Sequence, residues 1–242
     1  MPVYNAAATL EHSMRSVLGQ THGQVELLAV DDGSRDGSWD LMAGIAAQDR
    51  RVVPIRQPRN GGVAAARNTG IEAATGTHIA FLDSDDSWHP RKLDVQLAQL
   101  HRTGAGIVYS AYQRVSEQGQ PLSMVRPPAS VRYTDMLKSN WIGNLTGMYD
   151  RQLGDARFRR IGHEDYAFWL EMVRKAGHAV RADHDHDEPL AYYLVRDGSL
   201  SSDKIKAARW QWRIYREVAG LGRLAASWYF LNYARNALLK RR

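Results

Sequence analysis

Cysteine is absent from the 242 residues, which excludes disulfides and every cysteine-ligated metal site and fits a reducing compartment. Long hydrophobic runs are missing as well. Nothing approaches the roughly 18 apolar residues that a bilayer span needs, and the N-terminus lacks the basic and apolar regions of a signal peptide, so a cytosolic or peripheral protein is expected. Acids are scarce at one end. From Lys204 onward ten Lys/Arg accompany a single acid, Glu217, whereas the preceding part is slightly acidic at −3, within a net charge of +6. A basic surface spread over the whole fold, as nucleic-acid binding would need, is therefore not expected; the asymmetry points to a local partner of the C-terminal segment, best matched by anionic lipid.

What is present is first an alternation. Leu10, Met14, Val17 and Leu18 share one helical face, and Val25 to Val30 forms a short continuous apolar run ending at Asp31, as in a buried parallel strand. A helix from about Trp39 to Gln48, a strand at Val52, Val53 and Ile55, a helix from Val63 to Ala74 and a strand from His78 to Leu82 follow. This β-α-β-α-β series predicts a mostly parallel sheet flanked by helices. Pro90 fits the first turn of a further helix, with Leu93, Leu97 and Leu100 facing the core. From Ile107 the pattern changes to a strand as far as Arg114, a polar turn at Glu117 to Pro121, and a proline-containing connector through Ala129. We place a boundary there, and read residues 1–129, 130–202 and 203–242 as three successive parts. The last two contain a helix from about Glu164 to Ala176 and two terminal helical segments meeting near Gly220 and Gly222.

Ligands of open parallel sheets bind beyond the carboxyl ends of the strands, and three such places here are loaded. Asp31-Asp-Gly-Ser-Arg-Asp-Gly-Ser38 follows one strand, Asn60-Gly-Gly-Val-Ala-Ala-Ala-Arg-Asn68 the next, and Asp83-Ser-Asp-Asp86 the third. Together they offer a carboxylate for a base or ribose donor, glycines and a helix N-terminus for phosphate, an arginine, and carboxylates able to hold a hard divalent cation. Singly, each reads as a turn or a helix cap. Asp183-His-Asp-His-Asp-Glu188 has the composition of a metal site, but also that of an exposed polar loop.

The ordered series Pro2-Val-Tyr-Asn5, Ser16-Val-Leu-Gly-Gln-Thr21, Val30-Asp-Asp-Gly-Ser34, Asn60-Gly-Gly with Ala66-Arg-Asn-Thr-Gly-Ile71, Phe81-Leu-Asp-Ser-Asp-Asp86 and Glu164-Asp165 resembles the family 2 glycosyltransferases of the GT-A fold. The resemblance is dense over about the first 100 residues and thinner beyond. It implies a nucleotide-sugar donor, with Asp32 facing the base, Asp83 the ribose or metal, Asp85 the metal, and Pro2, Asp31, Asn60 and Arg67 around the nucleotide. The implied cation is Mn²⁺ or Mg²⁺. Asp165, with Glu164 beside it, takes the place of the catalytic base, and Arg196 is placed to close on the diphosphate. The implied partners are the sugar donor and a surface-glycan or lipid-linked acceptor, at the inner face of the cytoplasmic membrane. An inverting transfer needs such a carboxylate opposite the leaving group to accept the acceptor's proton.

Relatives of this kind carry a hydrophobic strand before the segment matching Pro2 to Asn5, and this chain begins with almost none of it. A late start or a truncated form is the expectation, with an exposed backbone edge as its consequence. Two rival readings stand beside transfer: a sugar nucleotidyltransferase, whose Gly-rich basic N-terminal signature is missing, and a non-catalytic nucleotide-sugar-binding protein.

Overall fold

The computed structural model describes residues 1–154, 156–183, 188–196 and 204–239. Strands and helices alternate at the start: β1 (Pro2–Val3), α1 (Leu10–Leu18), β2 (Leu27–Asp31), α2 (Ser38–Gln48), β3 (Val52–Arg56), α3 (Val63–Ala73) and β4 (His78–Ala80). The order β1-β2-β3 makes a small sheet, parallel throughout, with Pro2 opposite Val30 and Val30 opposite Ile55. Helices α1 and α2 pack against it through Leu10, Met14, Val17 and Met42, all buried; the first three belong to the stripe that the apolar spacing foretold, and its fourth member, Leu18, is partly buried against the same core.

Then come β5 (Ser87–Trp88), α4 (Lys92–Thr103), β6 (Ile107–Ser110), β7 (Tyr112–Val115), β8 (Pro121–Val125), β9 (Ser130–Arg132), α5 (Tyr133–Met136), β10 (Met148–Asp150), α6 (Glu164–Ala176), β11 (His178–Ala182) and β12 (Ala191–Leu194). A five-stranded sheet has the order β4-β10-β6-β11-β9, and only its β6–β11 pairing is parallel. Alternate residues along it feed two cores. Ile79, Phe81, Ile107, Tyr109, Tyr149 and Ala179 join Phe158, Phe168 and Trp169 on one face, while Leu82, Val108, Met148, Val180 and Ala182 join Leu93 and Leu100 on the other. The chain ends, among described residues, in α7 (Lys204–Arg213), a π-helical turn at Ile214–Val218 and α8 (Arg223–Leu239).

Three local expectations need correction. The strand expected from Ile107 to Arg114 is two strands, because the chain changes sheets at buried Ala111: β7 belongs to a third sheet, β5-β12-β7-β8. The connector before Ala129 contains β8, paired antiparallel with β7; its residues from Pro121 to Met124 are exposed and show no alternation of burial, so no periodic signal marks it. Pro90 precedes α4, which starts at Lys92.

The first strand is the two-residue β1. Met1 donates its ammonium to Leu28 O at 2.8 Å, so pairing along β2 on that side stops there. Beyond Met1, a cavity of about 560 Å³ separates β2 from β4, lined by Leu27, Leu28, Ile71, Ile79, Phe81 and Leu93 among others. The two sheets are thus neighbours without being joined. The ammonium of Met1 is buried at the head of this cavity, and burial brings its pKa down to about 5 against some opposing attraction from Asp83.

Candidate active site

The three loaded strand ends converge. At the end of β2, the Asp31 carboxylate is fully buried; it accepts from Ser34 N at 3.1 Å, and Arg56 Nε lies 3.6 Å from its other oxygen. Asp32 faces the glycine loop, with one oxygen accepting from Gly61 N and the other from Gly62 N, each at 2.7 Å. Asp32 is buried, and those two short bonds fix the loop that opens α3. Gly33 (φ +77°) makes the approach of the two loops feasible, since a β-carbon there would sit 3.1 Å from Asn60 N. Asn60 itself is exposed at the rim, and Pro2 is buried in β1 beside Val30.

Behind this rim, one turn into α3, lies Arg67, buried except for 8 % of its surface. It donates to both oxygens of Asp83, at 2.6 and 2.9 Å, and its guanidinium sits 5.1 Å from the centre of the Phe158 ring. Burial works against its charge, yet Asp83 and then Asp165 and Glu164 outweigh burial and raise its pKa. Arg67 is thus hydrogen-bonded to Asp83 in the acidic cluster and feels, more weakly, the charge of the acid pair that opens α6.

The members of the cluster have different surroundings. Asp86 is 3 % exposed and accepts from Leu194 N at 3.0 Å, so β12 already uses it; burial, then repulsion from Asp83 and Asp85, pushes its pKa well up. Asp85 is only partly buried, and its pKa is also raised, first by burial and then by Asp83, with Arg196 opposing. Strand β12 runs antiparallel to β5 and parallel to β7. Its continuation sets Arg196 3.6 Å from Asp85 Oδ2 and 3.2 Å from Thr9 Oγ1, and Thr9 in turn donates to Ser84 O. Among the described residues no three His, Cys, Asp or Glu groups converge as a metal site. Of the segment Asp183 to Glu188, residues 184–187 lie outside the described residues; Asp183 pairs with Arg181 instead.

Glu164 and Asp165 open α6 after a sharp bend. Gly162 (φ +76°) and His163 (φ 49°) both take left-handed backbone, and a β-carbon on Gly162 would lie 2.2 Å from the Trp210 indole. Only glycine can stand there. The His163 ring meets the same indole edge to face at 5.3 Å, so α7 braces the loop that presents the pair. Asn140 Nδ2 lies 3.5 Å from Asp165 Oδ2.

Two tyrosines near these acids were not singled out by sequence reasoning. Tyr112 and Tyr193 contact edge to face at 6.3 Å. Burial raises both pKa values; Tyr112 further feels Asp165 and Asp86, and Tyr193 feels Asp86, Asp85 and Asp83. They come from adjacent strands β7 and β12, whose pairing no spacing in the chain announces. Arg160 was missed for a similar reason. It is one of several arginines in Arg157-Phe-Arg-Arg160, and only the fold lays its guanidinium over Gly62, 3.0 Å from where a β-carbon would be.

Comparison with known proteins gives the family and the fold. The Glycosyl transferase family 2 model matches residues 1–159. The chain is 38% identical over 243 residues to the putative teichuronic acid biosynthesis glycosyltransferase TuaG of Bacillus subtilis, covering 99% of this chain and 95% of that protein. It is 32% identical to an Escherichia coli protein named UDP-Glc:alpha-D-GlcNAc-diphosphoundecaprenol beta-1,3-glucosyltransferase WfgD, over 96% and 90% of the two chains. In three dimensions it is similar to S. aureus TarS 1-349 in complex with UDP-GlcNAc, with a TM-score of 0.73 at 20% identity, over 96% of this chain and 70% of that one. The fold is therefore GT-A, and the two rival readings, a nucleotidyltransferase and a non-catalytic binding protein, are set aside. The chain belongs to glycosyltransferase family 2 and is an enzyme of that class.

Proposed function

We propose that this enzyme is an inverting, metal-dependent transferase that moves a sugar from a nucleoside-diphosphate sugar, of the UDP class, to a hydroxyl of a cell-surface glycan or lipid-linked acceptor. The observation that carries the reading is the convergence of three strand-end loops: Asp32 is tied to Gly61 and Gly62 of the glycine loop, and buried Arg67 of the same helix start is tied to Asp83 of the acidic cluster, with the Glu164–Asp165 pair close enough for Arg67 to feel its charge. The relatives support the substrate classes: WfgD is named for a UDP-Glc donor and a diphosphoundecaprenol-linked acceptor, and a mannosyltransferase of similar fold from Pyrobaculum calidifontis is known in complex with GDP-Man and Mn²⁺.

The donor set fits a hard cation, Mn²⁺ or Mg²⁺. Asp85 is held above its ordinary range by burial and by Asp83, a penalty that a cation removes. Asp85 and Asp83 would supply the protein's ligands, leaving positions for phosphate and water. The chemistry gained is electrostatic, namely neutralisation of charge on the departing nucleoside diphosphate. Arg196 moves from Asp85 and Thr9 onto the diphosphate. Asp32 takes a base N–H on a carboxylate lone pair that the loop amides do not use, and Pro2, Asp31 and Asn60 shape that end of the pocket. Asp165, oriented by Asn140, accepts the proton of the acceptor hydroxyl as its oxygen bonds to the anomeric carbon from the face opposite the leaving diphosphate. In this scheme residues 1–129 hold the donor and 130–202 the acceptor and base. Helix α7 braces the base loop through Trp210, the third part, 203–242, is the one given to the membrane, and the enzyme works on the cytoplasmic side.

Donor hydrolysis tests the reading. Slow release of nucleoside diphosphate from a UDP-sugar should require Mn²⁺ or Mg²⁺, stop with EDTA, and be abolished in Asp85→Ala. Release that is indifferent to EDTA and to this substitution would refute metal dependence and the role given to Asp85.

A further inference from the structure

The last described helix, α8, has two unlike sides. Its inner side is spent on the acceptor half. Ala226 is fully buried, Tyr229 packs on Tyr215, Tyr233 packs on Tyr166, and Asn236 Nδ2 donates to Lys138 O at 3.1 Å. Tyr215 and Tyr166 are themselves anchored, donating to Leu137 O and Met136 O at 2.6 and 2.7 Å. Tyr233 also lies close enough to Asp165 to feel its charge. The outer side carries Leu224, Trp228 and Leu231, which are 90%, 53% and 68% exposed and are spaced four and three residues apart, hence one stripe.

Charge says what covers this stripe. Exposed Arg223 and Arg235 stand towards its two ends, α8 has no acid at all, and exposed Arg216 lies just before it. The one acid after Lys204, Glu217, is already paired with Arg213 at 3.0 Å. A second copy docking on the stripe about a two-fold axis would set Arg223 against Arg235 of its mate, like charge on like charge. An anionic bilayer surface instead accepts leucine and tryptophan among the acyl chains and arginine among the phosphates.

We infer that α8 is an interfacial membrane-docking helix, which seats Leu224, Trp228 and Leu231 in an anionic bilayer and so holds the Asp165 side of the site against the membrane surface that carries a lipid-linked acceptor. This rests on the acceptor class proposed above. No helix among the described residues is long and apolar enough to cross a membrane, so the contact is one of lying on the surface.

The test uses the full chain, vesicles of phosphatidylcholine with and without phosphatidylglycerol, and the variant L224S/W228S/L231S. Wild type should sediment with phosphatidylglycerol vesicles at low salt and bind roughly tenfold more weakly in the triple variant, with a further loss as salt rises. The variant should keep metal-dependent donor hydrolysis, which reports a folded donor site and separates this inference from the reaction assignment. It should lose transfer to a polyprenyl-diphosphate acceptor in vesicles while keeping transfer to a short-chain, water-soluble analogue. Absence of wild-type binding to anionic vesicles, equal binding by the variant, or a concentration-dependent dimer that the variant abolishes would each overturn it.

Discussion

Asp165 and Lys92 show how differently two charged residues bear on the protein. Asp165 is partly accessible and steadied by Asn140, so Asp165→Asn should leave UDP-sugar binding by calorimetry within about twofold and cut transfer by roughly 10² to 10⁴. Retained transfer would move the base to Glu164. Lys92 serves no step of the reaction. Its ammonium is fully buried, donates to Gln96 Oε1 at 2.7 Å, lies 4.0 Å from the centre of the Trp88 ring, and is brought down by burial to about 7. Between about pH 7 and 10 the unfolded chain binds this proton and the folded chain does not, so the group's contribution to stability rises with pH across that window. Below it, both states are protonated and the full cost of the buried charge is felt. Lys92→Met should therefore raise Tm by several degrees near pH 6 and progressively less towards pH 10, followed by calorimetry across pH. At this scale the acidic clusters and Arg67 were readable, because like charges crowded at strand ends need a purpose. Tyr112, Tyr193 and Arg160 were not, because their meaning comes from partners brought by other strands.

Elements were legible where burial imposes a period. Helix α6 occupies the expected residues because Tyr166, Trp169, Leu170 and Val173 form one buried stripe, and β2 reads as a continuous apolar run because helices cover it. Strand β8 went unread, since an exposed ribbon leaves no alternation, and the break at Ala111 is a tertiary decision to switch sheets. The bend before α6 was also hidden: Gly162 looked like any loop glycine until Trp210 of α7 was found against its missing side chain. Gly162→Ala should cost about 2–4 kcal/mol, from left-handed strain together with the indole overlap. On the proposed assignment of Asp165 as base, it should lower kcat for transfer with little change in donor KM, because the strain falls on the loop that opens α6 and spares the Asp83–Asp86 cluster. Combining it with Trp210→Ala, which empties the space, should recover part of the lost stability; a double variant no better than the single one would show that the overlap is not the cause.

For the whole molecule the deciding feature is the unjoined pair of sheets. Strand β1 spans Pro2–Val3. What could not be read from the chain is the slot bounded by β2 and β4, lined by Leu27, Ile71 and Phe81 but also by Glu26, Arg67 and His78, with the ammonium of Met1 at its head. Extending the chain ahead of Met1 by about five β-branched apolar residues, at roughly 3.3 Å each, should lay a strand along both edges, move the charge to the surface and raise Tm. An equally long polar extension should not. The same slot makes the protein a good subject for hydrostatic compression. Internal space eliminated on unfolding lowers the system's volume, so pressure favours the opened chain in proportion to the space lost. The apolar extension should therefore raise the unfolding pressure more than its thermal gain alone would suggest, which would make the position of this one strand measurable in millilitres per mole.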